Sequence, residues 1–316
     1  MTHPSPAEDR RILLLAHTGR EDARDVARAV VSALSDQGLI VRMLEDEAKE
    51  LDLPPGHGVE TVTLPDAGAA ECELVLVIGG DGTILRAAEL THGTATPLLG
   101  VNLGHVGFLA EAESEDVEKM IELVVERKYS SEERLTIDVS VYRDKELVET
   151  TWALNEASVE KAARQRMLEV IVEVDGRPLS RFGCDGVVCA TPTGSTAYNF
   201  SAGGPIVWPG VEALLMVPIS AHALFSRPLV VAPSSVLAVE VLAQTEGAGV
   251  LWCDGRRTVD LPPGARIEVR RGRSPVRLVR LHEAPFTDRL VAKFGLPVEG
   301  WRGANERRRR QSSDNR

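Results

Sequence analysis

Aromatic side chains make up only 4% of this 316-residue chain, so its core must rest on Val, Leu, Ile and Ala. Lysine is scarce, six residues against thirty arginines, a skew that reads as coding bias and not as mechanism. The four cysteines (Cys72, Cys184, Cys189 and Cys253) form no Cys-x-x-Cys pair, so neither a disulfide framework nor a zinc knuckle is suggested. No apolar run approaches the ~20 residues that a membrane helix needs. The opening Met1-Thr2-His3-Pro4-Ser5-Pro6 has no charged-then-apolar signal pattern. The expectation is a soluble cytoplasmic protein with no membrane partner.

Basic residues fall short of acidic ones, 36 against 47, for a formal net charge of -11. From Arg302 to Arg316 the sign reverses, with six arginines against Glu306 and Asp314, so the rest of the chain is more acidic still. An acidic body argues against a general nucleic-acid binder. The run Arg307–Arg310 could hold a polyanion, but a solvated terminal tail is the plainer reading. Common nucleotide signatures are also missing. The first apolar run is followed by His17-Thr18-Gly19-Arg20-Glu21 and not by Gly-x-Gly-x-x-Gly, and no Gly-Lys dipeptide offers a Walker A loop. Neither His-Glu-x-x-His nor Gly-x-Ser-x-Gly occurs.

What is present is ordinary globular composition, 43% apolar and 26% charged. Ile12–Ala16 reads as a strand buried on both faces. Val26, Val30 and Leu34 then form one helical stripe that stops at Gly38. Leu39–Met43, Leu74–Ile78 and Pro97–Val101 read as further strands, with a short helix expected from Ile84. Residues 45–71 are acidic with Pro and Gly, and read as loop. Ser114 is a candidate cap for a helix carrying Val117, Met120, Ile121, Val124 and Val125.

This alternation predicts a layered α/β (Rossmann-like) domain over residues 1–128. From Leu135 the runs alternate: Leu135–Tyr142, Glu169–Val174, Val187–Ala190, Val236–Leu242 and Ala265–Arg270. Asp175-Gly176 and Asp254-Gly255 read as hairpin turns. Residues 129–285 should therefore form a β-rich, mostly antiparallel domain. A helix from Phe286 to Leu296, within segment 286–301, should pack back on the first domain, and 302–316 is the flexible tail.

Four segments carry candidate chemistry. Gly79-Gly80-Asp81-Gly82-Thr83 follows a strand and opens a helix, where backbone N–H groups and the helix dipole favour phosphate. An aspartate there would repel a bound anion, which suits a base or a group acting through a cation. A capped strand-to-helix turn is the bland alternative. Val101–Leu109 is a second glycine-rich stretch, where His105 reads as a loop donor. Asn155-Glu156 ends an apolar run and could be a plain strand end. The densest segment runs from Asp185 through Thr191-Pro192-Thr193-Gly194-Ser195-Thr196-Ala197-Tyr198-Asn199-Phe200-Ser201 to Pro205. Its hydroxyls could bind ribose or phosphate, and Tyr198 could wall a base.

In this order and spacing the four segments resemble the NAD kinases, which phosphorylate NAD to NADP. The resemblance spans about residues 10–296. The Gly-Gly-Asp-Gly-Thr element alone is shared with diacylglycerol and sphingosine kinases; the hydroxyl-rich segment separates NAD kinases from them. The resemblance implies that Asp81 accepts the proton of the adenosine ribose 2′-hydroxyl. It makes Gly79, Gly80, Gly82 and Thr83 a phosphate loop, lays Gly82 against the nucleotide, and turns Arg86 to a phosphate.

It also implies that Asn155 meets an adenine edge and that Glu156 helps hold ribose or metal. Arg166, Asp185 and Val187 become further nucleotide contacts, some reaching a neighbouring subunit, with Asp185 suited to ribose hydroxyls or the nicotinamide amide. Thr196, Ala197, Tyr198, Asn199, Phe200 and Ser201 line the same pocket. Relatives often carry Gln where this chain has Arg256. The implied partners are NAD and either ATP or polyphosphate. The implied cofactor is a divalent cation such as Mg²⁺, held mainly by substrate phosphates, and the implied assembly is a homodimer or homotetramer. A lipid or sugar kinase sharing the glycine loop, or a non-catalytic NADP(H) sensor, is the competing reading.

Overall fold

A computed structural model describes residues 10–298, apart from 54–57, 64–67, 105–106, 114–115, 246 and 283–284. His105, Ser114 and the Arg307–Arg310 run lie outside the described residues. The first part of the chain runs β1 (Arg11–Ala16), α1 (Glu21–Asp36), β2 (Ile40–Leu44), α2 (Glu45–Glu50), β3 (Val59–Val62), β4 (Leu74–Ile78), α3 (Asp81–Thr91), β5 (Leu98–Asn102), β6 (Ala112–Glu113), α4 (Val117–Val125) and β7 (Ser130–Arg134). It continues through β8 (Ile137–Arg143), β9 (Glu146–Ala153), β10 (Glu156–Lys161), β11 (Leu168–Val174), β12 (Arg177–Cys184), β13 (Gly186–Ala190), α5 (Tyr198–Ser201), β14 (Leu214–Ile219) and β15 (Leu229–Val231). The last elements are β16 (Leu237–Val241), β17 (Gly249–Cys253), β18 (Arg257–Leu261), β19 (Arg266–Arg271), β20 (Val276–Arg280) and α6 (Phe286–Phe294).

The first sheet has the order β3-β2-β1-β4-β5-β20-β7, with β6 also on β5. All its pairings are parallel except β20 with β7. The continuous apolar runs of β1 and β4 are buried throughout because both faces are covered. On one face Ile12, Leu14 and Leu76 meet Val30, Leu34 and Met120 from α1 and α4. On the other, Leu13, Leu15, Val75 and Val77 meet Ile84, Ala87 and Ala88 from α3. Two strands beyond residue 128, β7 and β20, are hydrogen-bonded into this sheet.

The other two sheets each have six strands, β15-β14-β13-β10-β17-β18 and β12-β11-β16-β19-β8-β9, and all their pairings are antiparallel. They share one core, in which Val139, Val170, Val239 and Ile267 of one sheet face Val159, Val187, Met216 and Leu251 of the other. β8 and β11 show the expected alternation of burial. β13 does not: all five of its residues are buried. Its outer face, with Val188 and Ala190, is covered by Tyr198, Ala202 and Val207. The hydroxyl-rich segment is thus laid across a sheet face. The fold is the expected α/β domain followed by a β-rich domain, with α6 returning to the first.

Two local expectations are corrected. Residues 45–71 are not loop, since they contain α2, β3 and a 3-10 turn over Ala69–Glu71. α2 escaped notice because Glu45-Asp46-Glu47-Ala48-Lys49-Glu50 has no apolar stripe; its inward face is Glu47 and Ala48. The helix expected from Ile84 begins at Asp81, so the aspartate stands in its first turn. No helix among the described residues is long and apolar enough to cross a membrane.

Candidate active site

Strand order reverses between β1 and β4, and ligands of open α/β sheets bind outside the carboxyl ends of strands at such a switch point. A cavity of about 540 Å³ opens there. After β1 it is lined by Ala16 to Arg20, and after β4 by Gly79, Gly80, Gly82, Thr83 and Arg86. Arg256, from the turn between β17 and β18, closes it. Gly79 has φ +154°, and a Cβ on it would stand 2.5 Å from Thr83 Oγ1, so the loop needs glycine here. The first turn of α3 begins beside the cavity, which thus combines free helix N–H groups with three guanidinium-bearing residues, Arg20, Arg86 and Arg256. That lining has the charge and the donors that a polyanion would need.

Two buried or half-buried carboxylates hold two of these arginines, and the third, Arg20, pairs with the exposed Asp22 at 2.5 Å. Glu47, 4% exposed, accepts from the Ala16 N–H at 2.9 Å and from Arg86 at 2.6 Å. Burial pushes the Glu47 carboxyl up, against the pull of Arg86 and the Ala16 amide. Glu89 of α3 accepts from Arg256 at 2.9 and 3.2 Å. Glu47 was invisible in the sequence because it lies in the segment read as loop.

Asp81 turns away from the arginines. Its Oδ2 accepts from the Phe108 N–H and its Oδ1 from the Leu109 N–H, each at 3.3 Å. A Cβ on Gly107 would stand 2.5 Å from Asp81 Oδ1. The second glycine-rich stretch is therefore a seat for the aspartate.

The face of α3 that packs on the first sheet also meets the β-rich domain. Leu154 joins Ile84, Ala87 and Ala88 in one cluster, and His92 stacks on Trp152 with ring centroids 3.8 Å apart. Asn155 and Glu156 follow directly. Their backbone is pinned by Asp254, whose Oδ1 accepts from Asn155 N–H at 2.7 Å and Glu156 N–H at 3.3 Å, while Oδ2 accepts from Leu154 N–H at 2.9 Å. Arg257 donates to the same Oδ2 at 2.9 Å. Asp254-Gly255 is the expected hairpin turn, with φ +53° and +64°, but its aspartate also does this second job, which the dipeptide does not reveal. Burial, and then the nearby Asp254 charge, push the Glu156 carboxyl up to about 8, although a Tyr198 backbone N–H pulls it down. Its Oε2 is buried with no hydrogen-bond partner among the described residues.

Several hydroxyls of the fourth, hydroxyl-rich segment are spent inside the protein. Thr191 Oγ1 donates to Leu154 O at 2.6 Å and accepts from Gly194 N–H at 3.0 Å. Ser195 Oγ bonds both polar groups of the Val207 backbone, and Thr196 Oγ1 donates to Thr193 O at 3.3 Å. Asn199 is fully buried and gives its amide N–H to Pro205 O at 3.3 Å, and its Oδ1 has no hydrogen-bond partner among the described residues. These groups shape the segment. Ala197, Tyr198, Phe200 and Ser201 remain partly or fully exposed, and Phe200 meets Phe294 in a tilted ring contact with centroids 4.7 Å apart.

Arg166 and Val187 are not gathered with these, whereas the Asp185 charge reaches Tyr198 and, after burial and the charges of Glu160 and Glu156, helps push its phenol up. Val187 is fully buried with its side chain in the sandwich core. Asp185 is ion-paired with Lys161, which lowers its carboxyl, and Arg166 is exposed beyond β10. At about 3.3 Å per strand residue, Asp185 lies about 20 Å along β13 from Thr191.

Comparison with known proteins identifies the family. Residues 12–129 match the ATP-NAD kinase N-terminal domain, and residues 154–281 match the ATP-NAD kinase C-terminal domain. The chain is 62% identical over 295 residues to NAD kinase 2 of Streptomyces coelicolor, covering 93% of this chain and 97% of the relative. It is 61% identical over 302 residues to NAD kinase of Thermobifida fusca, covering 93% and 92%. Yeast NADH kinase complexed with NADH superposes with a TM-score of 0.84 at 27% identity, covering 93% of this chain and 90% of that one. An NAD kinase from Archaeoglobus fulgidus in complex with ATP gives 0.67 at 26% identity, covering 91% and 100%. Fold and cavity together define a nucleotide-dependent phosphotransferase of the α/β class. The chain belongs to the NAD kinase family.

Proposed function

We infer that the protein transfers the terminal phosphate of ATP to the 2′-hydroxyl of the adenosine ribose of NAD, giving NADP. The carrying observation is the placing of Asp81, in the first turn of α3 beside a three-arginine cavity and fixed by the Phe108 and Leu109 amides. The donor triphosphate enters the cavity, where Arg20, Arg86 and Arg256 offset its charge. The 2′-oxygen attacks the terminal phosphorus as its proton passes to Asp81, and the bond to the diphosphate breaks. Most of the rate gain then comes from positioning and charge neutralisation. Asn155, Glu156 and Tyr198 hold the acceptor nucleotide. Asp185, whose charge reaches Tyr198, and Arg166 add further nucleotide contacts, some of them to a neighbouring subunit of a homo-oligomer.

Among the described residues no three His, Cys, Asp or Glu side chains come together as a metal cage. The donor set in the cavity is cationic and backbone N–H, so Mg²⁺ arrives as part of the donor, bound to its phosphates. Inorganic polyphosphate presents the same charged phosphates to the cavity and is a second candidate donor. A cytoplasmic site of action supplies both nucleotides, and the four cysteines are all buried and unpaired.

The test is a coupled NADP assay with NAD, Mg²⁺ and either ATP or polyphosphate. Asp81→Asn should lower kcat by about 10²- to 10⁴-fold while NAD still binds. Near-wild-type turnover in that variant would refute the assignment of the base.

A further inference from the structure

α6 lies outside the phosphate cavity, yet it grips the strip of backbone that seats Asp81. Arg289 Nη1 donates to Ala110 O at 2.7 Å and to Phe108 O at 3.2 Å. Its Nη2 is paired with the carboxylate of Glu111. Glu111, 2% exposed in its side chain, also receives Arg280 at 2.5 Å and the N–H groups of Leu281 and His282 at 3.2 and 3.4 Å. The Phe108 ring is flanked by Phe286 and Phe294 of the same helix, each with centroids 5.9 Å away. The peptide groups of this strip face two ways. The Phe108 and Leu109 N–H groups point at the Asp81 carboxylate, and the Phe108 and Ala110 carbonyls point at Arg289.

We propose that Arg289 is a positioning residue for phosphoryl transfer, holding the Phe108–Ala110 backbone so that its amides keep Asp81 aimed. The proposal rests on Asp81 being the proton acceptor. A guanidinium suits the task because its planar fork can serve two carbonyls and a carboxylate at once. A lysine offers one charged point and can keep only part of the grip. The helix itself contributes little to the core, since Leu290 is its one buried residue. Removing the Arg289 side chain should therefore disturb the strip more than the fold.

The experiment compares the full-length wild type with Arg289→Ala, Arg289→Lys, Asp81→Asn and the Arg289→Ala/Asp81→Asn double variant. It reads kcat, KM for NAD and ATP, NAD affinity by calorimetry, and Tm. A misplacement of about 1 Å can cost about 10²-fold in rate, so Arg289→Ala should lower kcat by up to that factor with NAD affinity within about twofold. Arg289→Lys should recover part of the loss. In the Asp81→Asn background Arg289→Ala should cost nothing more, because the group it aims is already gone. A loss of the same factor in both backgrounds, or a loss seen only in NAD affinity, would overturn the proposal. So would an unchanged kcat in Arg289→Ala while Asp81→Asn is inactive. Active Asp81→Asn would instead remove the base on which the proposal stands. Should Arg289→Ala not fold, the Lys variant carries the same comparison alone and in the Asp81→Asn background.

Discussion

At the scale of single residues the site is a set of carboxylates given different work by their surroundings. Asp81 is held by amides, Glu47 aims an arginine, and Glu156 is buried with an unpartnered oxygen. The last has a consequence for stability. Its folded-state carboxyl sits at about 8 against an ordinary 4.5, so the folded protein holds that proton more tightly than the unfolded chain. The resulting stabilisation is fully present below about pH 4.5 and is lost as pH rises through about 8. Glu156→Gln keeps the shape and stays neutral throughout. The wild type should therefore lose more Tm than the variant between about pH 6 and about pH 9, as read by differential scanning fluorimetry. Parallel curves would show that the Glu156 carboxyl does not titrate in this window.

At the scale of elements, sequence pattern reveals those that bury a stripe or a run and hides those that bury charge. β1, β4 and α1 were legible because their apolar residues recur at the period of the element. α2 was not, because a buried glutamate on an acidic hexapeptide looks like solvated loop. The turn between β8 and β9 was missed for a related reason. Asp144 and Lys145 adopt φ +51° and +67° without the glycine that normally announces such a turn. The motif residues were legible as a group through family resemblance, but their division of labour was not. Thr191 and Ser195 look like ligand hydroxyls in the sequence and serve as internal braces in the structure. Asp175-Gly176 and Asp254-Gly255 read alike, yet Asp175 accepts from Val236 N–H near the surface while Asp254 is 7% exposed and pins three amides. Asp254→Ala leaves those amides without their acceptor and takes from Arg257 one of its partners, Trp152 O remaining. Stripping one side of such a buried network costs about 3–5 kcal/mol, which urea denaturation would measure, and NAD affinity should fall with it. A loss below about 1 kcal/mol would show that the clamp is no stronger than a surface ion pair.

At the scale of the whole molecule, one chain spreads its nucleotide-binding candidates along one face of the sandwich. Asn155 and Glu156 lie at the end of β13 nearer α3 and Asp185 at the other, with Tyr198 packed over the strand between them and within reach of the charges of both Glu156 and Asp185. Beside Asp185 the chain folds back through the Gly183–His222 bridge into an apolar surface. Leu179 and Phe225 line a groove there with Phe182 and Met216, and Leu224 and Val230 are exposed nearby in the chain. Exposed apolar surface of this kind marks an interface more often than it marks plain surface. A second copy seated on it would cover these side chains and bring its own Asp185 toward the first copy's nucleotide, as the resemblance to NAD kinases implies. Leu224→Glu/Phe225→Glu places two charges on that surface without touching Asp81 or the arginine cavity. The wild type should scatter light as a dimer or tetramer at micromolar concentration, and the double variant should fall to a smaller species. Its kcat/KM for NAD should fall in parallel, because each site loses the groups its neighbour supplies. A variant with the smaller mass and undiminished kcat/KM would show that one chain holds NAD by itself, with no group supplied by a neighbour.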